Sequence, residues 1–154
     1  MLIRIAQPDD IETLFDIRTS VTENHQSREE IAALGITPDS VTDMLQTDCR
    51  AWIAELDNQP IGFSIANKTD KTILGMFVLP DYEGRGAGRR LMQAAEDWLW
   101  SADISEIWLV TGNDPNLRAY GFYLHLGWTL AGVESEGPFV GEMRFIKQSK
   151  WISS

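Results

Sequence analysis

Three glycines and three arginines are concentrated in seven residues near the middle of the chain, within the string EGRGAGRR. An apolar run, TILGMFVL, precedes them, and an amphipathic stretch that predicts a helix over residues 87–100 follows. Glycines let the main chain adopt positive φ and approach a ligand closely. The first N–H groups of a helix have no partner within it, and with the helix dipole they favour a phosphate. We therefore expect an anion-binding turn here rather than an ordinary strand-to-helix turn.

Two common phosphate-binding loops do not fit this turn. A Walker loop needs Lys followed by Ser or Thr after its last glycine, and Arg89 and Arg90 stand there instead. A dinucleotide fingerprint needs G-x-G-x-x-G, and Gly84, Gly86 and Gly88 are one residue short of it. That fingerprint also opens a βαβ unit near the start of a domain, whereas three predicted strands precede this loop.

A third pattern fits in register. The spacing of Val78, Pro80, Gly86 and Gly88 is similar to V-x-P-x-x-[Q/R]-x-x-G-x-[G/A], the pyrophosphate-binding motif of the GNAT superfamily of acyl-CoA-dependent N-acyltransferases. One position departs, since Glu83 stands where that family has Gln or Arg. We expect Glu83 to point outward. The positive charge is then expected from the neighbouring arginines, which are Arg85, Arg89 and Arg90.

A second stretch, NLRAYGFYLHLGW at residues 116–128, resembles another motif of the same family, N-x-x-A-x-x-F-Y-x-x-x-G-[F/W]. The matching residues are Asn116, Ala119, Phe122, Tyr123, Gly127 and Trp128. The two motifs occur in the family's order and at its distance, separated by one predicted strand. The resemblance covers the chain from Leu2 to Ile146, although the first forty residues match only in predicted shape.

The resemblance implies a site for acetyl-CoA as cosubstrate and for an amine acceptor. The main chain of Phe77, Val78 and Leu79 would contact the pantetheine arm. The loop amides would hold the pyrophosphate, namely those of Arg85, Gly86, Ala87, Gly88 and Arg89. Asn116 would cap the following helix or bind the CoA arm through its amide.

Tyr123 is the candidate general acid, the role that the family gives to the Tyr of this Phe-Tyr pair. A phenol with a pKa near 10 stays protonated at pH 7 and can donate to a departing thiolate; the alternative is a core aromatic residue. The general base stays open, because residues 72–79 contain no acid. His25 or a water relay could serve. The candidate acceptor contacts are Arg18, Glu23, Asn24 and His25.

These residues predict an N-acetyltransferase that acts by direct attack of a primary amine in a ternary complex, since Cys49 lies outside both motifs. The rival hypothesis is a catalytically silent CoA-binding sensor or interaction module. A nucleotide-dependent transferase is disfavoured by the missing P-loop Lys. The sequence does not name the amine.

Composition narrows the class of protein. With 154 residues, 44% of them hydrophobic, the chain predicts one packed domain. Thirteen basic and twenty-three acidic residues give a net charge of −10, which disfavours nucleic acid and anionic membranes as partners. A single cysteine excludes an intrachain disulfide and disfavours a zinc site, so we expect no metal. No apolar stretch is long enough to span a membrane and no signal peptide is visible, so we expect a cytoplasmic protein.

The elements predict an α/β fold of the GNAT type. Its mixed central sheet should have about six to seven strands, mostly antiparallel, with one parallel pair splayed at the cofactor site and about four flanking helices. One domain should cover residues 1–147, followed by a short tail at 148–154. A helix from residue 9 to about 23, another starting at 113–116, and strands at 128–133 and 139–146 are among the expected elements. A homodimer through the sheet edge or the C-terminal strands, common in the family, remains open.

Overall fold

The computed structural model describes residues 1–22 and 25–149, which form seven strands and five α-helices. The strands are β1 (Leu2–Ile5), β2 (Cys49–Leu56), β3 (Gln59–Asn67), β4 (Thr72–Val78), β5 (Glu106–Thr111), β6 (Thr129–Val133) and β7 (Met143–Gln148). The helices are α1 (Ile11–Ser20), α2 (Arg28–Ala33), α3 (Pro38–Gln46), α4 (Ala87–Ser101) and α5 (Arg118–His125).

The strands form a single mixed sheet in the order β1-β2-β3-β4-β5-β7-β6. Every neighbouring pair is antiparallel except β4 and β5, as short turns and one helical crossover predict. The expected GNAT-type sheet is therefore confirmed. The short helix α2 brings the number of α-helices to five, where the sequence predicts about four, and Ser27 and Glu30 give it a capping box.

The parallel pair is joined at one end only. β4 and β5 are in register at a single pair, Thr72 with Trp108, where the Thr72 hydroxyl donates to the Trp108 carbonyl at 2.7 Å. On its other side, β4 pairs with β3 over its whole length, from Thr72 to Val78. Since the two strands run in the same direction from their one junction, their carboxyl ends separate and leave a gap.

Two hydrophobic cores cover the two faces of the sheet. Leu91, Met92, Ala95 and Leu99 of α4 are completely buried on one face, and α1 packs with α3 on the other. From residue 76 to residue 79, successive side chains alternate between the cores. Met76 and Val78 pack on the α4 side, and Phe77 and Leu79 pack on the α1 side.

Three predicted boundaries are wrong for local reasons. Helix α1 ends at Ser20 rather than near residue 23, because Val21 is extended with ψ 149°. Helix α5 begins at Arg118 rather than at 113–116, because the Asp114 carboxylate accepts the Asn116 N–H and holds that segment in a turn. Strand β7 begins at Met143, because residues 139–142 close a turn in which the Glu142 N–H donates to the Phe139 carbonyl.

Within the described residues, every helix is too short or too polar to cross a lipid bilayer. The division into a domain at 1–147 and a tail at 148–154 stays a prediction, because residues 150–154 lie outside the described part of the chain.

The close approach of β3, β4 and α4 yields a test with two glycines. A β-carbon on Gly62 would lie 2.8 Å from the Phe77 carbonyl oxygen and 3.2 Å from Leu91 Cδ1, whereas nothing lies within 4 Å of one on Gly121. We expect Gly62→Ala to lower the free energy of unfolding by about 1–3 kcal/mol through overpacking. The control, Gly121→Ala at an exposed position of helix α5, should raise it by about 0.5–1 kcal/mol. Urea unfolding measures both, and an unchanged midpoint for Gly62→Ala would contradict the close approach.

Candidate active site

The turn between β4 and α4 presents uncapped main-chain amides. Gly86, the N-cap residue of α4, is left-handed with φ 86°, and no side chain caps the helix. A β-carbon on Gly86 would have nothing within 4 Å, so the space before the helix is open. The first hydrogen bond of the helix runs from the Arg90 N–H to the Gly86 carbonyl at 3.1 Å. The N–H groups of Ala87, Gly88 and Arg89 precede that bond in the helix and lack an intrahelical acceptor.

Charged side chains surround this turn. Arg85 lies over the ring of Tyr82, with its guanidinium carbon 5.4 Å from the centroid, and Arg89 is exposed. Arg90 donates to the Met1 carbonyl at 2.8 Å, which directs it toward β1, so it supplies charge to the turn less directly than expected. Glu83 is exposed, as expected, and forms an ion pair with Arg118 at the start of α5. This ion pair offsets the carboxylate that distinguishes the turn from the family motif.

Phe122 brings helix α5 against the beginning of α4. A β-carbon on Gly88 would lie 3.2 Å from the ends of both the Phe122 ring and the Met76 side chain. The space beside Gly88 is therefore filled by side chains from α5 and β4. Tyr123 follows Phe122 in the sequence, so this contact brings the helix that carries Tyr123 next to the turn.

Tyr123 is 7% exposed, and its ring contacts those of Phe122, Trp128 and Phe145 at centroid distances of 5.7, 6.3 and 5.7 Å. Burial raises the pKa of Tyr123 to about 12, because the phenolate would lose its hydration. The phenol is therefore protonated throughout the neutral range and is able to donate.

The motif did not predict a second buried tyrosine on the same helix. Tyr120 is 8% exposed and packs edge-on against Phe145 at 5.2 Å. It precedes Tyr123 by three residues, so the i, i+3 spacing could have placed both on one face. His125, in contrast, is exposed.

Arg18 is the acceptor candidate that the fold brings to β4. Its guanidinium lies 4.4 Å from the centroid of the Phe77 ring and donates to Gln26 Oε1 at 2.7 Å. Partial burial lowers the pKa of Arg18. His25 is exposed, with Nδ1 3.0 Å from the Val21 carbonyl oxygen. The remaining two candidates, at positions 23 and 24, lie outside the described residues.

Asn116 does not cap α5, contrary to one of its two expected roles. The N-cap residue is Leu117, without a side-chain hydrogen bond, and Asn116 is exposed in the preceding turn. Asn116 does not cap the helix because the turn at Asp114 shifts the start of the helix beyond Asn116. Its contact with the CoA arm stays a prediction.

Other features lie apart from the turn. Two cavities, of about 380 and 400 Å³, border strand β1. The first includes Cys49, which is 5% exposed and whose pKa burial raises to about 11. Within residues 1–22 and 25–149, no three His, Cys, Asp or Glu side chains gather as a metal site.

Comparison with known proteins places these features in a family. The profile of the acetyltransferase (GNAT) family matches residues 10–128. PaiA N-acetyltransferase from Thermoplasma acidophilum, in complex with coenzyme A, is 21% identical with a TM-score of 0.76, over 97% of this chain and 100% of that chain. A GNAT-family acetyltransferase from Staphylococcus aureus is 18% identical with a TM-score of 0.77, over 96% and 98%. A ribosomal-protein-alanine N-acetyltransferase from Brucella melitensis is 15% identical with a TM-score of 0.74, over 97% and 100%.

At these identities the structural likeness shows the fold. No protein of curated function matches the sequence.

The environment of Cys49 predicts an inert thiol. With its pKa raised to about 11, very little thiolate exists at pH 7.5. We expect Ellman's reagent to react with the native protein on the order of a hundredfold more slowly than with glutathione at that pH. One thiol should react promptly after unfolding in guanidinium. Rapid labelling of the native protein would contradict an inert thiol and would make Cys49 a candidate carrier of the acyl group.

Proposed function

The chain belongs to the acetyltransferase (GNAT) family, and we propose that it transfers an acetyl group from acetyl-CoA to a primary amine by direct attack in a ternary complex. The observation that carries the proposal is a coincidence of three features. Open amides begin α4, the neighbouring strands β4 and β5 separate at their carboxyl ends, and a buried protonated phenol lies on the adjoining helix.

The turn suits the diphosphate of CoA. The loop amides expected to bind it run from Arg85 to Arg89, and each contact near a helix N-terminus contributes about 0.3–1 kcal/mol at an exposed site. Arg85 and Arg89 add positive charge to a protein whose net charge is −10. The ion pair of Glu83 with Arg118 supports the fit, because it removes a negative charge that would repel the phosphates.

The gap between β4 and β5 suits the pantetheine arm. The Leu79 N–H donates to the Ile61 carbonyl of β3 at 2.8 Å. Because backbone groups alternate in direction along a strand, the N–H and C=O of Val78 point away from β3 and toward the gap. Among Phe77, Val78 and Leu79, this geometry favours Val78 for hydrogen bonds with the amides of the arm.

In the proposed reaction, the amine nitrogen attacks the thioester carbonyl carbon and the carbon–sulfur bond breaks. Tyr123 donates its proton to the departing sulfur, and the proton released by the nitrogen restores the phenol through water or a base. The base stays open, with His25 and a water relay as the candidates. Cys49 is no acyl carrier in this scheme, since its thiol is buried and protonated.

The acceptor is proposed to enter from the α1 side of β4, beside Phe77. Arg18 already lies against that ring, and the predicted contacts Glu23, Asn24 and His25 follow in the chain. The net charge of −10 is compatible with a cationic amine. We also propose a cytoplasmic location and keep a homodimer as a prediction for sedimentation analysis.

A CoA-binding module without catalysis is the second candidate, favoured by Glu83 in the motif and by the lack of an acid at 72–79. The deciding experiment incubates the protein and acetyl-CoA with a panel of amines and follows free CoA with a thiol reagent. The panel should contain polyamines, amino acids, aminoglycosides and peptide N-termini. Amine-dependent release of CoA supports the enzyme, whereas acetyl-CoA binding without release for any amine supports the module.

Tyr123→Phe tests the general acid. The substitution keeps the ring contacts, so we expect turnover to fall at least about tenfold with little change in acetyl-CoA affinity. Tyr120→Phe is the matched control, because it removes a hydroxyl from the other buried tyrosine of α5. Its turnover should stay within about twofold of the parent. An equal fall in both variants would argue against a specific role for Tyr123.

Two substitutions of Gly86 that differ only in charge test the diphosphate site. Gly86→Asn and Gly86→Asp have the same shape and suffer the same strain at φ 86°. Only Asp adds a negative charge before the helix, so it should weaken acetyl-CoA binding at least about tenfold more than Asn does. Calorimetric titration measures both dissociation constants. Equal constants would place the diphosphate elsewhere.

A further inference from the structure

Glu96 is the only charged residue that is buried in the described ranges 1–22 and 25–149, at 3% exposed. A buried charge is costly unless it is paired and hydrogen-bonded. Both carboxylate oxygens of Glu96 have partners. Oε1 accepts from Lys147 Nζ at 2.7 Å, and Oε2 accepts from Trp128 Nε1 at 3.2 Å.

The same contacts reach the end of helix α5. Lys147 Nζ also donates to the Leu126 carbonyl at 2.9 Å. The carbonyl of Tyr123 in turn accepts from the N–H groups of Leu126 and Trp128 at 3.1 and 3.0 Å. We call Glu96, Lys147, Trp128 and the Leu126 carbonyl the Glu96 cluster. It joins α4 and β7 to the turn that follows Tyr123.

Helix α5 is therefore fastened to α4 at two places. Near its middle, Phe122 packs beside Gly88 in the first turn of α4. At its end, the Glu96 cluster holds the turn at 126–128. Gly88 and Glu96 are eight residues apart, which is about 12 Å along a helix. Together with the packing of Tyr120 and Tyr123 on Phe145, two fastenings so far apart define the direction of α5 relative to the helix whose N-terminus forms the amide turn.

We propose that Glu96 is a positioning residue, whose contacts with Lys147 and Trp128 hold the Tyr123 hydroxyl in place relative to the amide turn. The inference rests on the proposed role of Tyr123 as general acid. A buried ion pair adds little to stability on balance, and apolar replacements of both partners are often neutral. The geometry of α5 therefore explains the cluster better than stability does. A displacement of about 1 Å at a reacting group lowers rates by up to about a hundredfold, so small pivots matter.

Three variants isolate this role. The double substitution Glu96→Met and Lys147→Met removes both charges together, so neither charged group is left buried without its partner. Glu96→Gln keeps the size of the side chain and an acceptor for Trp128. Glu106→Gln is the matched control, since Glu106 is exposed on β5 and bonded to Gln148 at 3.3 Å.

We expect the double Met variant to keep its circular dichroism spectrum and to bind acetyl-CoA within about twofold of the parent, while its kcat falls about tenfold. Glu106→Gln should match the parent in all three measurements. If the double variant does not fold, Glu96→Gln is judged by the same criteria. Unchanged kcat in a folded variant overturns the proposal.

The decisive comparison introduces the variant that was tested, either Glu96→Met with Lys147→Met or Glu96→Gln, into a Tyr123→Phe background. Residues that act through one another are non-additive, so a positioning role predicts no further loss of kcat there. The same tenfold loss in both backgrounds would show a general structural effect and overturn the proposal. If Tyr123→Phe alone has full turnover, the general-acid assignment itself fails, a result distinct from additivity.

Discussion

The architecture of this protein depends on one incomplete strand pairing. Strand β4 is bonded to β3 from Thr72 to Val78, but β5 joins it only at Thr72. A parallel pair that continued to the strand ends would close the sheet and bury its backbone groups in a ladder. Because it stops, the sheet opens at the edge where β4 turns into α4, and the backbone of Val78 faces a gap rather than a neighbouring strand.

The helices that border this opening complete it. Gly86 begins α4 in a left-handed conformation without a side-chain cap, so the first amides of the helix face open space. Helix α5 contacts the beginning of α4 through Phe122, and its Tyr123 is buried against Phe122, Trp128 and Phe145. This burial raises the pKa of Tyr123 to about 12. The open amides and the protonated phenol thus arise where α4, α5 and β4 pack together.

The charged side chains at the amide turn are mostly positive, whereas the net charge of the protein is negative. The protein carries a net charge of −10, yet arginines surround the amide turn and Arg118 neutralises Glu83, the acid at the Gln or Arg position of the motif. Inside the protein, the Glu96 carboxylate has both of its oxygens satisfied. The acidic chain thus has arginines at the amide turn and pairs the buried carboxylate of Glu96.

Local patterns in the sequence determined the order of the strands and helices along the chain, the antiparallel meander, the glycine-rich amide turn and the helix that carries Tyr123. They could do so because strand alternation, helix periodicity and glycine spacing are properties of neighbouring residues. The limits of β5 at Glu106–Thr111 and the start of α4 at Ala87 follow from such patterns. The start of α5 did not, since the Asp114 side chain accepts the Asn116 N–H in a turn and the helix begins only at Arg118. Only the tertiary structure decided that β5 leaves β4 after one residue, that Arg118 meets Glu83 across 35 positions, and that Glu96 meets Lys147 across 51. Such contacts depend on how separate elements pack, and no periodicity in a single chain segment records them.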